Sequence, residues 1–190
     1  MRPRGGGGFR AALAVTLLCA TVLLSSCNQR AIESWLSEGG AGSGPSLYTD
    51  EPLGTALREM KKKLPGSVQA LSLLVYRDHL VLQAQDPSAA ERVLQYVYRA
   101  GAVEGPQTVK LLGVGKLEDN LFPLDAAKVN AIPHLVKEAQ TRANIPEGTV
   151  ARVLLKRNLP ETMDVQFRVF VTSQRRDAAF DADQNGKLLN

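Results

Sequence analysis

Cysteine is scarce in this chain of 190 residues: there are two, Cys19 and Cys27, and none follows. The body of the protein therefore has no disulfide, no thiol nucleophile and no cysteine-based metal site. Its stability must come from a core. An apolar run long enough to span a bilayer is also missing, since Ala11 to Leu24 supplies fourteen largely apolar residues where a spanning helix needs ~20. Charge of one sign is missing too. The net +4 of the whole chain is carried mostly by Arg2, Arg4 and Arg10, while all 19 acidic residues lie after Cys27. From Cys27 onward 20 basic residues face 19 acidic ones, a net charge of +1. That near-balance gives no support to nucleic-acid binding, which needs a concentrated basic surface. Catalytic signatures are absent as well. There is no Gly-x-Ser-x-Gly elbow and no His-Glu-x-x-His helix. Gly113-Val114-Gly115-Lys116 lacks the spacing of a phosphate loop and reads as a link between two halves.

What is present begins at the N-terminus. Met1-Arg2-Pro3-Arg4 with Arg10 is a cationic head, Ala11 to Leu24 has the length of a signal core, and small residues precede a cysteine in Leu24-Ser25-Ser26-Cys27. This segment resembles the lipobox of bacterial lipoproteins. A plain secretory signal favours an Ala-x-Ala-like site, and none follows closely; an uncut anchor needs a longer apolar stretch. The resemblance implies removal of residues 1–26 and attachment of lipid to Cys27. One acyl chain binds membranes only marginally, whereas two or more hold stably, so a triacylated Cys27 would make the membrane the first partner. Asn28 stands where inner-membrane lipoproteins usually carry Asp. In a Gram-negative cell that implies the outer membrane, facing the periplasm.

Residues 27–48 read as the lipidated cysteine and a stalk. Gly39-Gly40-Ala41-Gly42-Ser43-Gly44-Pro45-Ser46 is low in complexity, and some twenty such residues span roughly 25 Å. Trp35 and Leu36, in a short amphipathic patch, suit either the membrane interface or the domain surface. Beyond the stalk the pattern predicts an α+β fold of two related halves, 49–116 and 117–190, each a helix followed by an antiparallel meander, with the helices packed on one face of the sheet. Leu53, Leu57, Met60 and Leu64 recur at helical steps, with Thr49 or Asp50 as cap, Pro52 in the first turn and Pro65-Gly66 as the stop. Ile132, Val136, Ala139 and Ala143 repeat those steps. Strands are predicted at 68–76, 79–85, 91–99 and 107–113, then at 150–157 and 164–173, with a last hairpin at 178–189. Arg77-Asp78 and Asp86-Pro87-Ser88 read as turns, and Gly101 to Pro106 as a looser connection.

Residues 123–190 order a helix, a Pro-containing junction and three strands, ending in Phe180-Asp181-Ala182-Asp183-Gln184-Asn185-Gly186-Lys187-Leu188. That ending is similar to the closing strand and turn of PepSY-like domains. Val165-Gln166-Phe167-Arg168-Val169 matches their expected Tyr-Glu-Val strand only loosely. Such domains are mostly non-catalytic modules of bacterial envelopes, so the resemblance implies binding rather than a reaction.

The same ending satisfies the first six positions of a calcium loop, with Asp181, Asp183 and Asn185 as oxygen donors and Gly186 at the sharp turn. The bidentate Glu of position twelve is missing, which favours a hairpin with Asn185-Gly186 in a type I′ turn. Lys61-Lys62-Lys63 suits the carbonyl end of the first helix. Tyr96 and Tyr98 share one strand face and suit the core. Arg175-Arg176 reads as a solvated turn. His79 falls in a turn and His134 beside the apolar stripe of the second helix, with nothing to assemble a triad around either. An envelope enzyme would have to draw on scattered carboxylates such as Asp119, Asp125 and Glu138. The leading expectation is therefore a lipid-anchored, non-enzymatic envelope protein without metal or cofactor, binding a protein or cell-wall partner and no nucleic acid; the alternative is a structural subunit of an envelope machine, ahead of an envelope hydrolase.

Overall fold

Among the described residues, three α-helices and eight strands follow one another: α1 (Asp50–Lys63), β1 (Gln69–Val75), β2 (His79–Asp86), β3 (Ala89–Arg99), β4 (Ala102–Val109), α2 (Leu117–Asn120), β5 (Phe122–Pro123), α3 (Ile132–Ala143), β6 (Thr149–Arg157), β7 (Val165–Thr172) and β8 (Asp177–Ala182). The structure is a computed structural model and describes residues 44–64, 66–112 and 115–189. The signal segment, Cys27, the stalk as far as residue 43, Pro65 and the Gly113-Val114 pair lie outside the described residues. No described helix is long and apolar enough to cross a membrane.

Both long helices follow their sequence signals. In α1, Asp50 and Glu51 stand in the first turn and Lys61, Lys62 and Lys63 in the last, the charge order that the helix dipole favours. Leu53, Ala56 and Met60 form its buried stripe. In α3, Pro133 sits at the tolerant start, Leu135, Val136 and Ala139 face inward, and Asn144 ends the helix at φ 47°.

The sheet overturns the expectation of two related helix-plus-meander halves. All the described strands join one continuous eight-stranded antiparallel sheet in the order β4-β3-β2-β1-β6-β7-β8, with β5 paired to β1. β1 is the strand that fuses what looked like halves. Its Leu73, Leu74 and Val75 pair with Leu155, Leu154 and Val153 of β6, while Gln69 and Ala70 pair with β5 along the same edge. The physical reason is a shared apolar face. A single ladder runs Val103–Tyr98–Leu80–Val75–Val153–Val169–Phe180 across seven strands. Splitting the sheet at β1 would expose both fronts of that ladder, at about 1.5–3 kcal/mol for each buried Val or Leu laid bare. The stripes of α1 and α3 join this face in one core cluster.

The opposite face is more polar. Ser72 Oγ donates to Gln83 Oε1 at 3.2 Å, and Gln83 Nε2 donates to Gln95 Oε1 at 3.1 Å, a side-chain chain across three strands. Three local features depart from the predicted layout. β4 begins at Ala102 rather than 107, because Ala100-Gly101 is a two-residue turn with φ 49° and 86° between the paired Arg99 and Ala102. Pro106 lies within β4, an edge strand, where a missing N–H is tolerated. The fold also starts before Thr49: Leu47 is 3% exposed and donates its N–H to Arg77 O at 2.7 Å.

Candidate functional site

α1 packs on β3 and β4, and α3 on β6 and β7, so β1 and β2 lie in the gap between the helices. The segment linking α2 to α3 covers that gap. Phe122, 0% exposed, fills part of it completely. The pairing of β5 with β1 ties the segment down, and Leu124 N–H to Val68 O at 3.0 Å and Lys128 N–H to Gln184 O at 2.9 Å pin it further. Between this pinned segment and α1 a cleft of about 330 Å³ remains.

Its chemistry is almost wholly apolar. Leu73, Leu80 and Leu82 form the floor and are 0–1% exposed. Leu57 and Met60 line the α1 side, and Leu124 and Val129 the opposite wall. Leu57, Leu64, Val68 and Leu124 are only half-buried, so the mouth presents apolar surface. Charge is confined to the rim: Arg58 and Lys61, exposed and three residues apart on α1, and Asp125, exposed on the facing turn. Arg58 Nη2 donates to Thr55 Oγ1 at 2.9 Å. A half-open apolar hollow with a polar edge is the form that small-ligand sites take.

Sequence reasoning missed this cleft. The stripe Leu53-Leu57-Met60-Leu64 was legible as one helix face, but spacing cannot distinguish Leu53, which is buried against the core, from Leu57, Met60 and Leu64, which line a hollow.

The other candidates are dispersed. Asp119 lies on α2, Asp125 on the 3₁₀ turn Leu124–Ala126 at the cleft rim, and Glu138 on α3. Glu138 pairs along its own helix with His134 at 3.7 Å and Arg142 at 3.5 Å. His79 opens β2 and is buried, with Nδ1 2.7 Å from Asp78 Oδ1 and its ring stacked on Tyr76 at 4.3 Å. Nearby Tyr48 donates its hydroxyl to Val75 O at 3.4 Å. Its pKa is pushed well above the ordinary tyrosine value, by burial first and then by Tyr76 and Asp78. Tyr96 and Tyr98 are buried on the helix-facing side, and burial raises the pKa of Tyr96. Arg175 and Arg176 lie in the exposed turn between β7 and β8.

The calcium-like ending is engaged otherwise. Asp181 takes both contacts of a bidentate pair with Arg168, at 2.6 and 2.9 Å. Asp183 Oδ1 accepts the N–H of Asn185 at 2.8 Å and of Lys187 at 3.0 Å. The Lys187 N–H bond, before other causes, holds the Asp183 carboxyl below the usual carboxylate range. The turn is not type I′ as expected. Gly186 N–H reaches Asp183 O at 2.9 Å and Gly186 alone has positive φ, at 83°, so a type I turn centred on Gln184-Asn185 is followed by a left-handed glycine.

No family model matches the chain. No curated protein matches it. Among solved structures it is similar to a protein from Clostridium difficile 630 provisionally named a lipoprotein, with 15% identity and a TM-score of 0.47, covering 77% of this chain and 97% of that one.

Proposed function

We propose that this chain is a lipid-anchored protein of the bacterial envelope, held through an acylated Cys27, whose folded domain is a non-catalytic binding module working through the cleft beside α1. The observation that carries the binding role is the cleft itself: a floor of three dry leucines, apolar walls, and ionisable groups only at the rim. Acid–base or nucleophilic catalysis needs groups that converge on a reacting atom, whereas this hollow offers apolar contact. The anchoring role rests on the lipobox-like run ending at Cys27. Asn28 favours the outer membrane, and the PepSY-like ending agrees with a module that binds rather than reacts.

Anchoring is tested by Cys27→Ala in a bacterial host. The unaltered chain is expected in the membrane pellet with the mobility of a processed, acylated protein. The variant is expected to lose acylation, migrate more slowly because residues 1–26 are retained, and lose incorporation of a labelled fatty acid. Equal mobility and equal label in both would overturn the anchor.

A further inference from the structure

We propose that the cleft beside α1 holds the hydrocarbon chain of a free fatty acid, with its carboxylate between Arg58 and Lys61. This rests on reading the cleft as a binding site and names the class of its occupant. Size comes first. At about 330 Å³ the hollow lies near the lower end of ligand pockets.

Hydrogen bonding decides against an extended peptide. Its backbone N–H and C=O groups would need partners at the floor, and leaving them unpaired there is costly. The floor strands have none to give, because β1 is paired to β2 on one edge and to β6 and β5 on the other, while β2 is paired to β1 and β3. A hydrocarbon chain brings no such groups, and the half-buried Leu57, Leu64, Val68 and Leu124 offer it apolar surface above the leucine floor.

The rim then selects the head group. Arg58 and Lys61 are neighbours on the helix surface, and Lys61 stands in the last turn of α1 with Lys62 and Lys63 beyond. Asp125 faces them. Two cations against one carboxylate leave a net charge of +1 at the mouth, which complements a singly charged carboxylate.

The test uses the lipidated full chain in phosphatidylcholine nanodiscs, titrated with decanoate and dodecanoate carrying ¹³C at the carboxyl carbon, with empty nanodiscs as the blank. The expected result is a saturable protein-bound carboxyl resonance, one per chain. Each buried methylene contributes about 0.8 kcal/mol, so affinity should rise about fourfold per carbon, or about 15-fold from decanoate to dodecanoate. Arg58→Gln with Lys61→Gln, both exposed, should weaken binding about tenfold or more without changing the melting temperature. Leu124→Trp, which fills the cleft, should abolish binding while thermal melts confirm the fold. Saturable binding that ignores both sets of substitutions would overturn the proposal. Binding of an acetylated Leu-Leu-Leu-Glu peptide without binding of dodecanoate would also overturn it, leaving the binding-module reading in place. Binding of neither probe to folded protein would overturn both.

Discussion

Gly186 is constrained twice. Its φ of 83° lies in the region that L side chains rarely adopt, and a Cβ there would meet Ala131 Cβ at 2.6 Å. The first constraint comes from the turn that Asp183 organises, the second from the docking of that turn onto the segment before α3. Gly186→Val should therefore cost about 1–3 kcal/mol from backbone strain alone, lowering the melting temperature by about 4–10 °C. The same drop is expected with calcium or with chelator. Gly186→Ala isolates the contact: adding Ala131→Gly should restore part of the lost stability, and a strictly additive pair would show that the approach to Ala131 does not matter. The Asn-Gly dipeptide was legible as a turn from its conformational tolerance alone. Its type was not, because the pairing of Ala182 with Leu188 sets the loop length and moves Gly186 from the centre of the turn to the position after it.

At the scale of elements, periodicity located both long helices and the strands around them, and it failed where a breaker sits inside a strand. Gly105-Pro106 reads as a connection because proline cannot donate to a ladder. On β4 the outer edge needs no donor, and a shift in register between Gln95 and Val97 absorbs the irregularity. The two-residue β5 carries no period at all, so the fully buried Phe122 gave no sign that it plugs the gap between the helices. The β3–β4 turn carries a testable flaw. Type I′ turns favour Asn-Gly, but Ala100 stands at φ 49° in the first central position. Ala100→Asn should relieve the strain of a left-handed alanine and raise the melting temperature by about 2–4 °C. No gain would mean that neighbouring contacts already compensate the alanine.

For the whole molecule, the decisive contact is the one that sequence pattern was least able to reveal. A period of two says which side chains share a face, but it says nothing about which strand lies alongside. The pairing of β1 with β6 joins residues about 80 apart in the chain, through the Leu73–Leu155, Leu74–Leu154 and Val75–Val153 contacts. Because that junction sits at the middle of the sheet and under one core, the two sides of the fold should unfold together. Leu73, 1% exposed, touches both sides of the junction. Leu73→Ala should cost about 2–5 kcal/mol by leaving a cavity. Hydrogen exchange would show how far the cost spreads. In the unaltered protein, the slowest amides of β3 and β7 should report the same opening free energy, and urea should give one coincident transition. In the variant, protection should fall by the same amount on both sides of β1. If it fell in β1 to β4 alone and left β7 unchanged, the sheet would be two cooperative units in contact, and continuity of hydrogen bonding would not be what holds this fold together.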